Sequence, residues 1–306
     1  MSLGEVSQIS EDVYAYLQPD GSWYLNNTGF LVSQGVGAGV ISIDAAATQK
    51  RTLAYLDAIK TVTAQPVRTL VNTHHHGDHT HGNYLMSGAT IVGHERCREV
   101  ILQSPMPPPP GIWEPVDWGN LQPAPPFLTY ADGVTLWSGD LRCEVRYVGT
   151  PAHTTNDSIA HIPERSVVFA GDLLVNGGAP FALMGSVSGW IEVLETVLRP
   201  LGAQTLVPGH GPVCGPEAID DVLAYLIFVQ DTARGARAVG LTPLEAARAT
   251  DLGEFKDLLD SERIVGNLHR AYLELDGADR GAPIDLAKAL GDMIAYNGGR
   301  PLTCHA

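Results

Sequence analysis

Short apolar runs separated by turn residues dominate the beginning of the chain. Runs rich in Val, Ile, Tyr and Leu occupy 13–17, 23–32 and 40–44, and turns at 19–22 and 35–39 separate them. Runs this short predict strands, and tight connections join neighbouring strands that point in opposite directions. The pattern therefore predicts an antiparallel meander of strands.

After residue 48 the apolar spacing switches between the helical period and the strand period. The predicted elements are a helix over 48–63 capped by Thr48, strands at 67–72 and 90–93, a short helix starting near Gly82 and a helix over 94–103. This alternation is typical of α/β proteins, in which helices cover the faces of a sheet.

A second β-rich half and a helical tail complete the pattern. Strands are predicted at 134–136, 141–148, 158–162, 167–170 and 205–207, and an amphipathic helix at 189–201. Further helices are predicted at 217–239, 243–249, 261–275 and 285–296, the last closed by Asn297-Gly298-Gly299. Periodicity supports an α/β (α+β) fold with mixed sheets. We expect a main domain over 1–216 and a helical region over 217–306 packed on it, which either closes over a site or forms an oligomer surface.

Proline interrupts the pattern at 104–128, where neither a helix interior nor a central strand is expected. A loop of this length inside a compact domain is usually functional or disordered. Trp113 and Trp118 favour a packed lid or pocket wall. The alternative is an ordered surface loop that these two tryptophans merely anchor.

Composition and charge narrow the class of protein. The 306 residues are 44% hydrophobic and carry a formal net charge of −15, which disfavours binding to nucleic acid or to anionic membranes. No apolar run reaches the roughly 18 residues of a membrane helix and no secretory signal opens the chain, so we expect a cytoplasmic protein. Cys97, Cys143, Cys214 and Cys304 lack CxxC spacing and are expected to be free thiols.

A dense group of metal-binding residue types follows a predicted strand. Five histidines and one aspartate fall within the twelve residues 72–83. Imidazole and carboxylate groups are preferred ligands of zinc and similar divalent ions. Because side chains alternate in an extended loop, His74, His76 and Asp78 share one side and His79 faces the other flank. The alternative, a solvated His-rich loop, does not explain why the cluster ends a hydrophobic strand.

The run His74-x-His76-x-Asp78-His79 resembles the HxHxDH signature of the metallo-β-lactamase fold. Further ligands of that fold are expected at later strand ends, and the candidates in order are His153, Asp172 and His210. The resemblance implies a four-layer αββα sandwich whose catalytic domain is 1–216. It also implies one metal ion held by His74, His76 and His153, a second held by Asp78, His79 and His210, and Asp172 bridging them. Asp44, at the end of its strand, is expected either to support the ligand loop or simply to end the strand.

A pair of divalent ions held in this way lowers the pKa of a shared water, so that metal-bound hydroxide serves as nucleophile or general base. Zinc is the preferred assignment, and iron or manganese also suits a site of histidines and aspartates. Asp78 is both a ligand and a candidate proton acceptor. The remaining histidines are expected to support ligands, to pack or to lie at the surface; they are His75, His81, His94 and His161.

Several segments outside the ligands resemble the second-ring aromatic polyketide cyclase/dehydratases of the actinorhodin type. They lie at 116–119, 180–187, 241–247, 267–271 and 295–299. The resemblance implies intramolecular aldol ring closure of a polyketide intermediate with loss of water, a step of antibiotic biosynthesis. The substrate pocket is then expected to be apolar, and its candidate residues, equally suited to the core, are Trp113, Trp118, Phe181, Leu183, Met184 and Trp190.

Two other functions stay open. A hydrolase of the same fold would cleave a thioester, lactone or lactam, with the hydroxide attacking the carbonyl carbon. A glutathione thioesterase would need a cationic surface for the substrate carboxylates, and the helical tail is not visibly basic. A non-catalytic or redox protein is the third alternative, although all the ligand positions are kept and no flavin domain is present. An enzyme of either kind acts on a small molecule, and a homo-oligomer is compatible with the sequence.

Overall fold

Two β-sheets form the centre of the molecule. The computed structural model describes residues 3–32, 34 and 38–306. The first sheet has the strand order β1-β2-β3-β4-β5-β6-β7 and the second β12-β11-β10-β9-β8. The strands are β1 (Glu5–Ser10), β2 (Val13–Leu17), β3 (Thr28–Leu31), β4 (Val40–Ile43), β5 (Val67–Val71), β6 (Thr90–His94), β7 (Leu128–Tyr130), β8 (Gly133–Ser138), β9 (Leu141–Tyr147), β10 (Ser158–Ile162), β11 (Val167–Val175) and β12 (Thr205–His210).

The first sheet begins as the predicted antiparallel meander and continues with parallel strands. Strands β1 to β4 pair antiparallel, and β4 to β7 pair parallel. The prediction of a strand over 23–32 was wrong for its first half, because Leu25 N–H donates to Ser22 O in a turn and Tyr24 has a left-handed φ of 63°. The predicted turn at 35–39 lies partly outside the described residues, and β1 was not predicted.

Helices cover the outer faces of both sheets. They are α1 (Gln49–Val62), α2 (Gly77–Thr80), α3 (Glu95–Gln103), α4 (Val187–Val193), α5 (Glu217–Ala238), α6 (Pro243–Ala249), α7 (Arg263–Leu275) and α8 (Leu286–Tyr296). Thr48 caps α1 as predicted, with its side chain accepting from Arg51 N–H. The short helix expected near Gly82 is found as the 3₁₀ helix Asn83–Leu85, whose N-cap is Gly82. The turn α2 precedes it and was not predicted.

The side-chain alternation of β11 shows how the layers are built. Val167 and Phe169 point into the core between the two sheets, whereas Val168 and Ala170 pack against the helices on the outer face. Since successive strand side chains face opposite sides, both faces of this strand are apolar and both are covered. The predicted αββα sandwich is confirmed.

The helical tail shares its core with the second sheet. Leu226 of α5 and Leu268 of α7 belong to the same buried cluster as Val168 and Trp190. The end of the tail returns to the Pro-rich segment, where Leu302 pairs with the backbone beside Trp113. The boundary predicted at 216/217 therefore separates two types of element that share one hydrophobic core.

Among the described residues, no helix combines the length and the apolar character needed to cross a membrane.

Candidate metal centre

The loop after β5 carries the histidine cluster to one edge of the sandwich. His74 and His76 lie between the end of β5 and the start of α2, and Asp78 and His79 lie within α2. Thr80 closes the turn by donating from its hydroxyl to His76 O at 2.9 Å. The turn thus presents four polar side chains within six residues of one another.

The other predicted ligands arrive from the second sheet. His153 lies in the loop between β9 and β10, Asp172 lies within β11, and His210 ends β12. A Cβ atom at Gly209 would collide with Oδ1 of Asp172. Only glycine before His210 therefore lets the two chains approach closely enough to share a site.

The structure brings the seven predicted ligands together in two groups that share Asp172. His74, His76, His153 and Asp172 form one group, and Asp78, His79, His210 and Asp172 form the other, with ligand atoms within 4.8 Å of one another in each group. The sequence resemblance implied the same two groups, and their role as metal ligands stays a prediction.

Buried ligand atoms without partners show that the groups fit cations. Nε2 of His74, Nε2 of His79 and Oδ1 of Asp172 are buried and make no hydrogen bond. Nε2 of His79 and Oδ1 of Asp172 lie 3.0 Å apart. Buried polar atoms are normally satisfied, so converging lone pairs of this kind are what a divalent ion requires.

Asp172 lies between the two groups. Its Oδ2 is 3.3 Å from Nε2 of His153 in the first group and 3.3 Å from Nε2 of His210 in the second. A single carboxylate in contact with both sets of imidazoles has the position of a bridging ligand.

Burial and mutual charge shift the protonation of the two groups in opposite directions. Burial, reinforced by the neighbouring imidazoles, lowers the pKa of His74 and of His76. Burial also acts to lower the pKa of His210, but Asp172 and Asp78 outweigh it and raise the pKa to about 9. Without metal, the carboxylate-rich group therefore holds protons that a cation would displace.

Contacts behind the ligands orient their rings. Nδ1 of His153 lies 2.7 Å from the carbonyl oxygen of Phe181, so Nδ1–H donates and the lone pair of Nε2 faces the site. Oδ2 of Asp44 accepts from Nδ1 of His79 at 2.8 Å and from the Thr73 hydroxyl at 2.7 Å. Of the two roles expected for Asp44, the geometry gives it the supporting one.

The remaining histidines lie outside both groups. His75 contacts Asn156, with Nδ1 2.9 Å from Nδ2. His81 packs its ring against Tyr24 and Trp118. His94 caps α3 and His161 lies on β10 near Glu144; neither of these two approaches the ligands.

A cavity of about 170 Å³ opens onto the ligands. Of the predicted pocket residues, Trp113, Phe181, Leu183 and Met184 line it. Lining residues that the sequence did not single out are Trp23, Tyr24, Val175, Arg263, Leu286 and Leu290. Leu286 and Leu290 are four residues apart on α8, a spacing that predicts an apolar helix face. That spacing alone does not distinguish a cavity wall from a packed core.

Two pocket predictions were wrong. Trp190 is fully buried in the core behind His153, where its indole N–H donates to Leu173 O at 3.1 Å. Trp118 does not line the cavity and instead packs behind Tyr24, with ring centroids 4.9 Å apart. The Pro-rich segment thus supplies one residue of the cavity wall, Trp113, and a second tryptophan that backs it.

Arg263 is the single arginine or lysine that lines the cavity, among the described residues. Its Nη2 lies 2.8 Å from Oδ2 of Asp260, its Nη1 donates to Ala179 O at 2.8 Å, and its guanidinium stacks on Trp23 at 4.1 Å. The charge of Arg263 is therefore already paired within the protein.

Comparison with known sequences identifies related proteins. A sequence model described as the metallo-beta-lactamase superfamily matches residues 23–210. A hydroxyacylglutathione hydrolase of Rhodospirillum rubrum is 30% identical over 212 residues, which are 69% of this chain and 70% of that protein. A hydroxyacylglutathione hydrolase of Brucella ovis is 27% identical over 46% of this chain and 47% of its own length.

Comparison with solved structures supports the same fold. A metallo-beta-lactamase from Pontibacter korlensis superposes with a TM-score of 0.60 at 21% identity, over 73% of this chain and 99% of that one. The DIM-1 metallo-beta-lactamase superposes with a TM-score of 0.59 at 15% identity, over 74% and 97%. Identities this low support the fold alone.

Proposed function

Because the chain belongs to the metallo-β-lactamase superfamily and is a metal-dependent hydrolase of that superfamily, we propose that it cleaves the ester or thioester bond of a neutral aromatic acyl group. The observation that carries the proposal is the cavity. It joins two metal-ligand groups to a wall of aromatic and aliphatic side chains.

The ligand assignment follows the two groups. His74, His76 and His153 would hold one ion, Asp78, His79 and His210 would hold the other, and Asp172 belongs to both groups. When bound, such ions activate a water and polarise the scissile carbonyl. Zinc suits these nitrogen and oxygen donors best, and iron or manganese is the alternative.

The protein side chains supply positioning and proton transfer. Asp78 lines the cavity, and its Oδ2 lies 3.1 Å from Nε2 of His210. Charge interactions with His79 and His210 outweigh the effect of burial and hold the pKa of Asp78 below its usual range. In this proposal its carboxylate accepts the proton of the attacking water and returns it to the leaving group.

The charge distribution of the cavity favours neutral substrates over glutathione thioesters. Glutathione carries two carboxylates, and the one arginine or lysine among the described lining residues, Arg263, is already paired with Asp260. Desolvating a carboxylate without a partner is costly, and the net charge of −15 repels anions at long range. The substrates in the names of the relatives are therefore not the ones we propose for this chain.

Ring closure of a polyketide is the second candidate, and the aromatic wall is the observation that favours it. Trp23 makes edge-on ring contacts with Trp113 and Phe181, Trp113 makes one with Tyr24, and all four residues line the cavity. A polycyclic ketone would lie against these rings without needing a charged partner. Asp78 would then remove an α-proton in place of a proton of water.

A substrate panel tests both candidates. Zinc-loaded protein is offered the 2-naphthoyl thioester of N-acetylcysteamine, a hydroxyacylglutathione and a bicyclic poly-β-ketone, with His76→Ala as the inactive control. We expect kcat/KM for the naphthoyl thioester to exceed that for the glutathione thioester by at least about tenfold. Preference for the glutathione thioester would contradict the proposal, and ring closure without thioester cleavage would favour the second candidate.

A further inference from the structure

Tyr24 holds an unfavourable backbone conformation at the cavity wall. Its φ of 63° lies in the left-handed region, which bulky L-residues rarely adopt. Residues in such conformations persist only where their surroundings impose them, and they concentrate at functional sites.

Three aromatic side chains fix the ring of Tyr24. Trp113 and Trp118 pack edge-on against it, with centroids 5.0 and 4.9 Å away, and His81 stacks on it at 6.5 Å. A ring held from three sides has no alternative rotamer to occupy. The left-handed turn and the Pro-rich segment therefore act together to aim one phenol.

The hydroxyl of Tyr24 has no hydrogen-bond partner among the described residues, and its oxygen is not one of the fully buried atoms that lack a partner, so it is open to the cavity that Tyr24 lines. The hydroxyl of buried Tyr55, by contrast, lies 2.6 Å from Gly29 O and 2.8 Å from the Ser42 hydroxyl. Tyr24 lines the same cavity as Asp78 and the other ligands.

The local electrostatics keep this hydroxyl protonated. Burial, with a contribution from the charge of Asp78, raises the pKa of Tyr24 well above its usual value. At neutral pH the group is thus an O–H donor at the cavity wall.

We propose that Tyr24 is a catalytic residue that donates a hydrogen bond to the carbonyl oxygen of the bound acyl group. The inference rests on the proposed function, because it assumes a carbonyl substrate. The hydrogen bond strengthens as negative charge develops on that oxygen during attack. The phenol keeps its proton throughout, so no bond to hydrogen breaks at Tyr24.

Tyr24→Phe tests the role, since it removes the hydroxyl and keeps the ring contacts. Tyr130→Phe is the matched control, because Tyr130 is 8% exposed, its hydroxyl also lacks a partner, and it does not line the cavity. We expect Tyr24→Phe to lower kcat on the naphthoyl thioester about 100-fold, as for loss of one oxyanion donor. Bound zinc should stay unchanged, and KM should rise by no more than about tenfold, so that most of the loss is in kcat. Tyr130→Phe should leave all three quantities unchanged.

A binding measurement separates this inference from the proposed function. 2-Naphthamide carries the same aromatic carbonyl and is not turned over, and its binding is followed by quenching of tryptophan fluorescence. We expect Tyr24→Phe to weaken this binding about tenfold and Tyr130→Phe to leave it unchanged. If the wild type binds the amide but cleaves neither thioester, the proposed hydrolysis is wrong. The effect of Tyr24→Phe on amide binding then still tests the hydrogen bond. Equal kcat and equal amide binding in Tyr24→Phe and wild type, or no amide binding by the wild type, would overturn the role of Tyr24.

Discussion

Oδ2 of Asp44 lies 2.8 Å from Nδ1 of His79, and this contact aims the ligand nitrogen of His79 at Asp172. Asp44 also accepts from Thr73 N–H through Oδ1 at 2.8 Å, and it does so from a left-handed φ of 60°. One aspartate at the end of β4 thus fixes both the start of the ligand loop and the tautomer of a ligand inside it.

Asp44→Asn should weaken metal binding without unfolding the protein. The amide is too weak an acceptor to hold Nδ1–H of His79 as the carboxylate does. Loss of an outer partner of this kind costs about 10- to 100-fold in metal affinity. Competitive zinc titration against a chromophoric chelator measures the change.

The control for this variant is Asp12→Asn. Asp12 also has a left-handed φ, of 62°, but lies in the turn between β1 and β2, away from the ligands. Its variant should bind zinc like the wild type. Equal losses in the two variants would assign the effect to backbone strain instead of to the contact with His79.

Asp172→Asn should reduce the metal content from two ions to one or fewer per chain. Asp172 contacts imidazoles of both groups, so the variant removes a negative charge that each ion shares. Elemental analysis after gel filtration reads the stoichiometry. Two tightly held ions in the variant would rule out a bridging role.

Removing metal should lower the thermal stability of the wild type, because ligands that bind only the folded state stabilise it. The buried atoms of His74, His79 and Asp172 that lack partners would lose their counter-charge. Calorimetry before and after chelation checks the expected fall in Tm. The Asp172→Asn variant should show a smaller fall than the wild type.

Trp113→Ala should weaken substrate binding more than turnover. Trp113 lines the cavity and contacts Tyr24 and Trp23, but it is not a ligand. Loss of an apolar wall should raise KM for the naphthoyl thioester about tenfold or more, while kcat changes less. Trp137→Ala, at a side chain that is 59% exposed on β8, is the control and should change neither. A fall in kcat alone would contradict a wall role for Trp113.

The metal-free protein should lose stability as the pH falls below about 6.5, partly because of His94. Nδ1 of His94 accepts from Arg96 N–H at 3.2 Å as the cap of α3, and Nε2 contacts Ala131 O at 2.9 Å. Burial lowers the pKa of His94. The unfolded chain therefore binds this proton at a higher pH than the folded protein does. The free energy of unfolding is then highest above the pKa of the unfolded chain and declines as the pH falls below it.

His94→Asn keeps a cap acceptor and has no titrating group. Urea unfolding of chelator-treated protein at about pH 7.5 and about pH 5.5 should show a smaller loss of stability in the variant than in the wild type. The same loss in both proteins would assign the pH dependence to other groups.

Local pattern was enough to predict most elements. The strands at 13–17, 40–44 and 158–162 and the helix capped by Thr48 were found because alternation and capping depend only on neighbouring residues. The failure at 23–27 has a physical cause, since its apolar residues form a turn that is held by residues far away in the chain, among them Trp113, Trp118 and Gly209.

The sequence by itself determined the candidate ligands and their order, because His74-x-His76-x-Asp78-His79 and three later strand-end residues are visible without coordinates. Only the tertiary structure decided which side chains form the cavity. Trp190 and Phe181 are equally apolar in the sequence, yet one packs in the core and the other faces the ligands. Burial and cavity lining depend on residues far apart in the chain, such as Tyr24 beside Trp113 and Leu302 beside the Pro-rich segment. No local pattern encodes those distances.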